Sequence, residues 1–310
     1  MMTKDISWKR DVLPIMFAGL LFILIHSLAL LTIEPFQEAG VEPAFENPDD
    51  PVNILYIFAI IIIFTILILL IAKFWKKQMI QIIILGAIGY TTFFVLYPLI
   101  ALVMPGFSMI ALLLSLCAAG VLLVLLVKFP EWYVIDLCGI IVGTGAIAIF
   151  GMSLSIFLVI ILLVVLALYD AISVYKTKHM IDLADTVMDL KLPVLLVIPK
   201  KRHYSLIEET QSLKAQLEEE KEREAFFIGL GDVVMPGILV ATVYYSLNQG
   251  LLLALSTMIG TLAGFALLMT FVLKGKPQAG LPALCGGAIL GYLLSSYLLY
   301  GTIVGINLPF

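Results

Sequence analysis

The amino-acid sequence predicts an all-α polytopic membrane protein with nine transmembrane helices. Of its 310 residues, 62% are hydrophobic and only 13% are charged, whereas soluble domains are about 45–50% apolar and about 25% charged. The mean hydropathy is +1.12, and the apolar runs exceed the roughly 20 residues that a membrane-spanning helix needs. This composition excludes a soluble globular domain. The net charge of −4 leaves no basic surface for nucleic acid.

The first apolar runs predict four crossings. Residues 13–33 and 52–72 are each long enough for one helix across the membrane. A helix rises about 1.5 Å per residue, so the next run, residues 79–127, would be roughly 73 Å long as one rod. Because the hydrocarbon core is about 30 Å thick, this run must fold back, and residues 98–106 are the expected turn.

The later runs predict five more crossings. Residues 132–169 would form a rod of roughly 57 Å, so this run also turns back, with residues 151–153 as the expected break. Residues 226–273 divide at residues 248–250, and residues 281–302 make the last crossing. The total is nine, which places the two termini on opposite sides of the membrane.

The distribution of charge predicts the orientation. Lys and Arg accumulate on cytoplasmic loops, and with the N-terminus inside, all 18 basic residues fall on the cytoplasmic side. The first outside loop, residues 34–51, carries six acidic residues and no basic one. We therefore expect a cytoplasmic N-terminus and a C-terminus outside.

Three parts of the chain follow from this topology. Residues 1–171 hold the first six spans, residues 172–225 form a cytoplasmic connecting segment, and residues 226–310 hold the last three spans. In the connecting segment, the proline-bracketed apolar run 193–199 is typical of a strand. The charged pattern over residues 205–224 is typical of a solvated helix.

Asp170 and Asp232 are the most unusual residues of the predicted spans. Asp170 lies six residues before Lys176 and Asp232 lies eight residues after Glu224, about 9 Å and 12 Å from the cytoplasmic boundary if both stretches are helical. Their depths match, and they lie on antiparallel helices. Two carboxylates in contact cannot both be ionised, so one acts as a base and the other as an acid. This is the chemistry of an aspartic protease.

The neighbours of Asp232 agree with that interpretation. Gly229 and Gly231 leave room for another backbone to approach, and Pro236 lacks the N–H that would bond the Asp232 carbonyl. Free backbone groups at membrane depth require protein or water beside them, and hydrolysis requires water. The alternative is a glycine-rich packing face with a buried, hydrogen-bonded Asp.

Other ionisable residues suggest structural roles and no metal or cofactor. His26 is expected to make an interhelical hydrogen bond, and Asp136 is expected at the cytoplasmic interface. Cys117, Cys138 and Cys285 lie in apolar runs without metal-site spacing, and we interpret them as packing residues. No His-Glu-x-x-His motif occurs, and no histidine lies beside a serine nucleophile turn, so metallo- and serine proteases are disfavoured.

Three short motifs together resemble the presenilin and signal peptide peptidase family of intramembrane aspartyl proteases, most closely an archaeal presenilin homologue. In chain order they are Tyr169-Asp170, Gly229-Leu230-Gly231-Asp232 and Pro282-Ala283-Leu284. Their order and their placement on the sixth, seventh and ninth spans make the combination specific. The resemblance implies that Asp170 and Asp232 are catalytic and that the Pro-Ala-Leu triplet shapes the site. Cys285 stands where presenilins usually have a second proline.

The resemblance also implies the partners and the location. Substrates are expected to be single transmembrane segments with their N-terminus outside, cleaved within the lipid bilayer, which is the cell membrane if the organism is prokaryotic. No obligatory partner subunit is implied. Residues around the two aspartates are expected to bind the substrate, namely Tyr169, Gly229, Leu230, Gly231, Gly280, Leu281, Pro282, Ala283 and Leu284.

The approach of the substrate suggests a further expectation. A proline restricts its predecessor to extended backbone, so Gly280 and Leu281 are predicted to form an edge for strand addition, with residues 193–199 as a second edge. The alternative is that Pro282 only starts a helix. The competing function is a transporter or cation channel that uses Asp170 and Asp232 as ion or proton sites. No third acid lines the remaining depth.

Overall fold

The structure is a computed structural model, and its fold agrees with the predicted membrane architecture. It describes residues 12–74, 77–177, 195–201, 204–206, 225–273 and 278–306. These residues form nine α-helices, of which seven are long and apolar enough to cross a membrane. Two shorter apolar helices, Val52–Phe64 and Leu230–Ser246, belong to the remaining two.

Nine helices and one hairpin follow one another along the chain. The helices are α1 Leu13–Glu38, α2 Val52–Phe74, α3 Lys77–Val103, α4 Ser108–Lys128, α5 Trp132–Ser153, α6 Ile156–Ile172, α7 Leu230–Ser246, α8 Leu251–Val272 and α9 Gly280–Tyr300. A π-helical turn, Ser173–Thr177, continues α6. The strands are β1 Leu195–Pro199 and β2 Ala225–Gly229.

The predicted reversals of the chain are close to those observed. Both expected turns are confirmed: α3 ends at Val103, inside the range 98–106, and α4 begins at Ser108, while α7 ends at Ser246 and α8 begins at Leu251, on either side of residues 248–250. The reversal between α5 and α6 lies at residues 154–155, directly after the predicted break at 151–153. Apolar length therefore located the crossings well.

The connecting segment contains the strand that its proline-bracketed run predicts. β1 occupies residues 195–199 and pairs with β2 in an antiparallel hairpin, with Leu195 opposite Gly229 and Val197 opposite Phe227. The predicted charged helix over residues 205–224 lies almost entirely outside the described residues.

β2 corrects the predicted start of the seventh span. Residues 226–229 were expected to begin a membrane helix, but they are extended, and α7 starts at Leu230. The apolar run is continuous, and periodicity alone does not separate a short buried strand from a helix. Pairing with β1 decides the conformation, so Asp232 lies in the first turn of α7 rather than well inside it.

α7 is the centre of the bundle and carries one half of the predicted site. It contacts α1, α5, α6, α8 and α9. His26 of α1 is fully buried, and its Nε2 hydrogen-bonds the Val233 carbonyl of α7 at 2.9 Å. The predicted interhelical bond of His26 is thus confirmed. A side chain at Gly237 would meet the His26 ring at 2.8 Å, so this glycine permits the contact.

α8 and α9 approach each other through glycines. A side chain at Gly264 would overlap the Ala283 carbonyl oxygen, and one at Gly260 would overlap the Gly287 carbonyl oxygen. Small residues let helix backbones come close in membranes. This contact determines where the first turn of α9 lies, which matters for the site below.

The predicted roles of the other buried candidates are partly wrong. Asp136 lies near the start of α5, where water was expected to reach it, but it is 4% exposed and accepts a hydrogen bond from the Val197 N–H of β1 at 2.7 Å. Cys138 and Cys285 are buried as expected, whereas Cys117 is exposed on α4. All three cysteines are free.

Candidate active site

Asp170 lies near the C-terminal end of α6 and is held by another helix. Its side chain is only 5% exposed, and its Oδ2 accepts the Leu281 N–H at 3.0 Å. The Gly280 N–H also donates to this carboxylate. The first turn of α9 therefore binds Asp170 across 111 residues of sequence.

Asp232 lies in the first turn of α7 and is held by its own chain. Its half-buried carboxylate accepts the N–H of Gly229, the residue that precedes the helix. Carboxylates are stabilised at helix N-termini, where free N–H groups and the positive end of the helix dipole lie. Pro236 lies four residues later inside α7, so the Asp232 carbonyl lacks its usual helical donor.

The two carboxylates meet at the start of α9. A methyl group at Gly280 would lie 3.0 Å from Oδ2 and 3.2 Å from Oδ1 of Asp232, while the neighbouring Leu281 N–H bonds Asp170. Asp170 and Asp232 are close enough to interact electrostatically. The structure therefore brings together the pair that the sequence singled out.

A cavity of about 170 Å³ opens beside Asp232. Residues of α1, β2, α7, α8 and α9 and of the loop before α9 line it, and all but two of the lining residues are apolar or glycine. The two polar side chains are Asp232 and Gln278. The bulkiest apolar ones are Phe22, Phe226, Phe227, Phe265 and Leu268. The wall of a mostly apolar cavity thus includes one carboxylate of the pair.

A further hydrogen bond joins the end of α6 to the segment that precedes α9. The Tyr175 hydroxyl, in the π-helical turn that continues α6, donates to Gln278 Oε1 at 2.8 Å. Gln278 stands two residues before α9 and lines the cavity. Together with the Asp170 bond, this contact ties the end of α6 to the start of α9.

The expectation that Gly280 and Leu281 are extended is wrong. Both belong to the first turn of α9, and Ala279 before them is the extended residue, with φ −70° and ψ 126°. The restriction that Pro282 places on Leu281 is a preference and not a prohibition. Here the N–H groups at the helix start bind the Asp170 carboxylate instead of a substrate strand.

The other predicted substrate-binding residues lie in different surroundings. Tyr169 is 70% exposed on the outer face of α6, and Leu230 packs toward Gly143 of α5. Gly231 is exposed, with open space where a side chain would be. Leu284 is buried and lines the cavity.

Pro282 and Ala283 occupy the first turn of α9. Pro282 is the third residue of the helix, where its missing N–H costs no helical bond. The Ala283 carbonyl faces Gly264 of α8. These two residues therefore hold the turn that binds Asp170.

Sequence analysis missed most of the cavity wall. Phe22 and Phe265 stand in helices that carry no motif, and Gln278 stands in a loop. Nothing in their local pattern distinguishes them from other apolar or polar residues. What marks them as part of the site is their proximity to Asp232 in the folded protein, and the sequence does not contain that information.

Comparisons with known proteins agree with the geometry. The family described as "Signal-peptide peptidase, presenilin aspartyl protease" matches residues 19–301. A structure of a presenilin family intramembrane aspartate protease in the C222 space group is 33% identical, with a TM-score of 0.69, and the match covers 92% of this chain and 99% of that chain. A structure of a presenilin family intramembrane aspartate protease in the P2 space group is also 33% identical, with a TM-score of 0.66, and the match covers 90% of this chain and 96% of that chain. No curated protein matches.

Proposed function

The chain belongs to the signal-peptide peptidase and presenilin family of intramembrane aspartyl proteases, and we propose that Asp170 and Asp232 are its catalytic pair. The observation that carries this proposal is the convergence of both carboxylates on Gly280 and Leu281. The protein is a multi-pass membrane protein, and its family implies transmembrane substrates.

The pair supplies a base and an acid to the same peptide bond. One carboxylate takes a proton from water as the water oxygen attacks the peptide carbonyl carbon, while the other, protonated, gives its proton to the carbonyl oxygen. The C–N bond of the resulting gem-diol then breaks. The first carboxyl gives the proton that it took from water to the leaving nitrogen, and the second takes a proton from a gem-diol hydroxyl, which yields the carboxylic acid product and restores the pair. The hydrogen bonds from Gly229, Gly280 and Leu281 orient the carboxylates for these transfers.

We propose that the cavity beside Asp232 takes a large apolar side chain of the substrate. Its volume of about 170 Å³ resembles that of an engineered apolar cavity of about 150 Å³ that binds benzene. Phe22, Phe226 and Phe265 provide the wall. A transmembrane substrate supplies such side chains in abundance, and burial of one next to the dyad would position the neighbouring peptide bond.

The substrate must also present extended backbone to the dyad. A helix hides its amides in its own hydrogen bonds, and amides that are unwound at membrane depth need new partners. Strand addition provides them. With Gly280 and Leu281 helical, the β1–β2 hairpin is the extended element of the described residues that leads to Asp232, so we propose that the substrate pairs with the hairpin.

The orientation of the chain rests on the one-sided placement of Lys and Arg. We propose that the N-terminus and the connecting segment face the cytoplasm and that the organism's cell membrane is the location if it is prokaryotic. In a cysteine-free background, Glu42→Cys should react with an impermeant thiol reagent from outside, and Glu219→Cys should not. The opposite pattern would invert the substrate class.

The decisive experiment for the proposed function is cleavage of a reporter. Purified protein is incubated with a single-span reporter helix, with and without a transition-state analogue of aspartic proteases. We expect cleavage within the membrane segment that the analogue blocks. Because the pair shares a proton, the rate should follow a bell-shaped pH profile. Cleavage that is insensitive to the analogue, or a flat profile, would contradict the proposal.

The alternative function, a transporter or cation channel, is not favoured by the family and structural matches. Liposomes that contain the protein provide the test. A proton or cation flux that disappears in Asp170→Asn, without any reporter cleavage by the wild type, would reverse this preference.

A further inference from the structure

A histidine of α1 is bonded to the backbone beside Asp232. His26 is fully buried, and its Nε2 lies 2.9 Å from the carbonyl oxygen of Val233, the residue that follows Asp232. A carbonyl only accepts hydrogen bonds, so the imidazole donates and its proton lies on Nε2. The bond joins residues that are 207 positions apart in the sequence. The first helix therefore reaches the turn that carries a proposed catalytic residue.

Pro236 leaves this turn of α7 with one internal hydrogen bond fewer than an ordinary helical turn has. A helical carbonyl normally accepts the N–H of the residue four positions later, and Pro236 has no N–H to give to the Asp232 carbonyl. A proline ring inside a helix also presses against that carbonyl and bends the helix. The His26 bond restrains the same turn from outside α7.

α7 leaves room for the imidazole at Gly237. A methyl group at this position would lie 2.8 Å from Nε2 and 2.9 Å from Cδ2 of His26. Gly237 lies one helical turn after Val233 and directly after Pro236. The ring thus occupies the space of a missing side chain, beside the bend that the proline causes.

A histidine at this place is unfavourable for packing alone. The Nδ1 of His26 is buried and has no hydrogen-bond partner among the residues that the structure describes. An unsatisfied buried polar atom lowers stability, and leucine would fill a similar space without one. An ionisable residue inside a membrane span is a candidate for function. What the imidazole adds over leucine here is the donor to the Val233 carbonyl.

The same face of α1 also lines the cavity beside Asp232. Phe22 lies one helical turn before His26, and the two rings meet edge to face with centroids 6.0 Å apart. Phe22 lines the cavity and packs on Phe265, with ring centroids 5.0 Å apart. One face of α1 therefore contacts both the proposed substrate cavity and the turn that carries Asp232.

We infer that His26 is a positioning residue for Asp232 and acts through the Val233 carbonyl. The bond fixes the first turn of α7 against α1, so that the Asp232 carboxylate stays at the start of α9 beside Asp170. This inference rests on the proposed function, which gives Asp232 its catalytic role. His26 bonds the backbone and not the substrate, so its loss should lower kcat and leave KM unchanged.

Two variants of His26 separate the donor from the volume of the ring. His26→Leu keeps a side chain of similar size without a donor, and we expect kcat to fall about tenfold with the loss of one hydrogen bond. His26→Gln keeps an amide N–H donor and should stay within about threefold of the wild type. Steady-state cleavage of the single-span reporter measures kcat and KM. A wild-type kcat in His26→Leu, or a kcat in His26→Gln as low as in His26→Leu, would overturn the inference.

Phe36→Leu is the matched control for general destabilisation. Phe36 is also fully buried in α1, ten residues after His26 and therefore about 15 Å along the helix. Its substitution should lower the unfolding temperature and leave kcat unchanged. If kcat falls as far as in His26→Leu at the same loss of unfolding temperature, destabilisation explains the effect and the inference is wrong.

The position of the imidazole proton provides a measurement that does not need His26 to be changed. The chain has three histidines, so the His179→Gln, His203→Gln double variant leaves His26 alone. Nitrogen-15 NMR of this protein, labelled at histidine in micelles, distinguishes a protonated ring nitrogen from a bare one. We expect the proton on Nε2. A proton on Nδ1 with Nε2 bare would exclude the bond to Val233 and overturn the inference, even if His26→Leu does not fold.

Failure of this inference is distinguishable from failure of the proposed function. If Asp170→Asn or Asp232→Asn cleaves as well as the wild type, the catalytic assignment is wrong whatever the His26 variants show. If cleavage requires both aspartates but His26→Leu keeps the wild-type kcat, only the positioning role of His26 is wrong.

Discussion

Asp170 and Asp232 have the same proposed role but are supported in opposite ways. Asp170 lies near the C-terminal end of α6, where the helix dipole disfavours a carboxylate, and α9 supplies its N–H donors from 111 residues away. Asp232 lies at the N-terminal end of α7, where the dipole favours it, and Gly229 supplies its donor from three residues away. One half of the site depends on tertiary packing and the other on local sequence.

We expect the largest loss of activity when Asp170 or Asp232 is substituted, and these variants test whether the two carboxylates act as one catalytic unit. Asp170→Asn, Asp232→Asn and the double variant should each lose about 10⁴-fold or more in kcat, because members of a catalytic unit are not additive. Single-turnover cleavage of the reporter measures the losses. A single variant within tenfold of the wild type, or losses that multiply in the double variant, would separate the two residues.

Gly280 lies where the groups that hold Asp170 and Asp232 meet, and we expect its substitution to have the second largest effect on activity. Gly280→Ala places a methyl group 3.0 Å from Asp232 and beside the Leu281 N–H that binds Asp170, and a displacement of about 1 Å in a catalytic group can reduce the rate about 10²-fold. We expect kcat to fall by that order.

Gly286→Ala is the matched control for Gly280→Ala. It lies in the same helix, and nothing lies within 4 Å of the added methyl group. Its kcat should equal that of the wild type. If both variants keep full activity, the first turn of α9 does not determine the geometry of the pair.

The tertiary support of Asp170 can be disturbed from a distance. Gly264→Ala would overlap the Ala283 carbonyl and push α9 away from α8, at a cost of about 1–3 kcal/mol in stability. We expect a lower unfolding temperature and kcat about tenfold lower as the Leu281 N–H leaves Asp170. Gly120→Ala, with open space at its position, should change neither quantity. An unchanged kcat in Gly264→Ala would show that Asp170 does not need α9.

The local support of Asp232 should give the smallest effect. A methyl group at Gly229 would lie 3.2 Å from Asp232 Oδ2, and the side chain can yield by a few tenths of an ångström while the N–H bond persists. We expect Gly229→Ala to lower kcat by less than about tenfold, or about 1.4 kcal/mol.

Gly231→Ala is the companion to Gly229→Ala. Its side chain enters open space, so stability should be unchanged while KM rises through a narrower approach for the substrate. Steady-state kinetics separate the two variants. A loss at Gly229→Ala as large as that of Gly280→Ala would remove the distinction between local and tertiary support.

The correct predictions rest on local features of the sequence, whereas the wrong ones concern residues whose conformation or burial depends on a distant partner. The crossings, a strand within residues 193–199 and the choice of Asp170 and Asp232 follow from run length, proline placement and the presence of ionisable residues in apolar runs. Residues 226–229 were assigned to a helix, and Asp136 to a position that water reaches. Both errors have one cause, because the partner that decides each conformation, β1, comes from a distant part of the chain.

The sequence by itself determined the membrane architecture and the identity of the two carboxylates, because apolar length and an ionisable residue within an apolar run are local properties. Only the tertiary structure decided how Asp170 is held, which residues line the cavity and that residues 225–229 form a strand. These depend on hydrogen bonds and close helix contacts between distant residues, whose partners are fixed only when α5, α8 and α9 pack around α7.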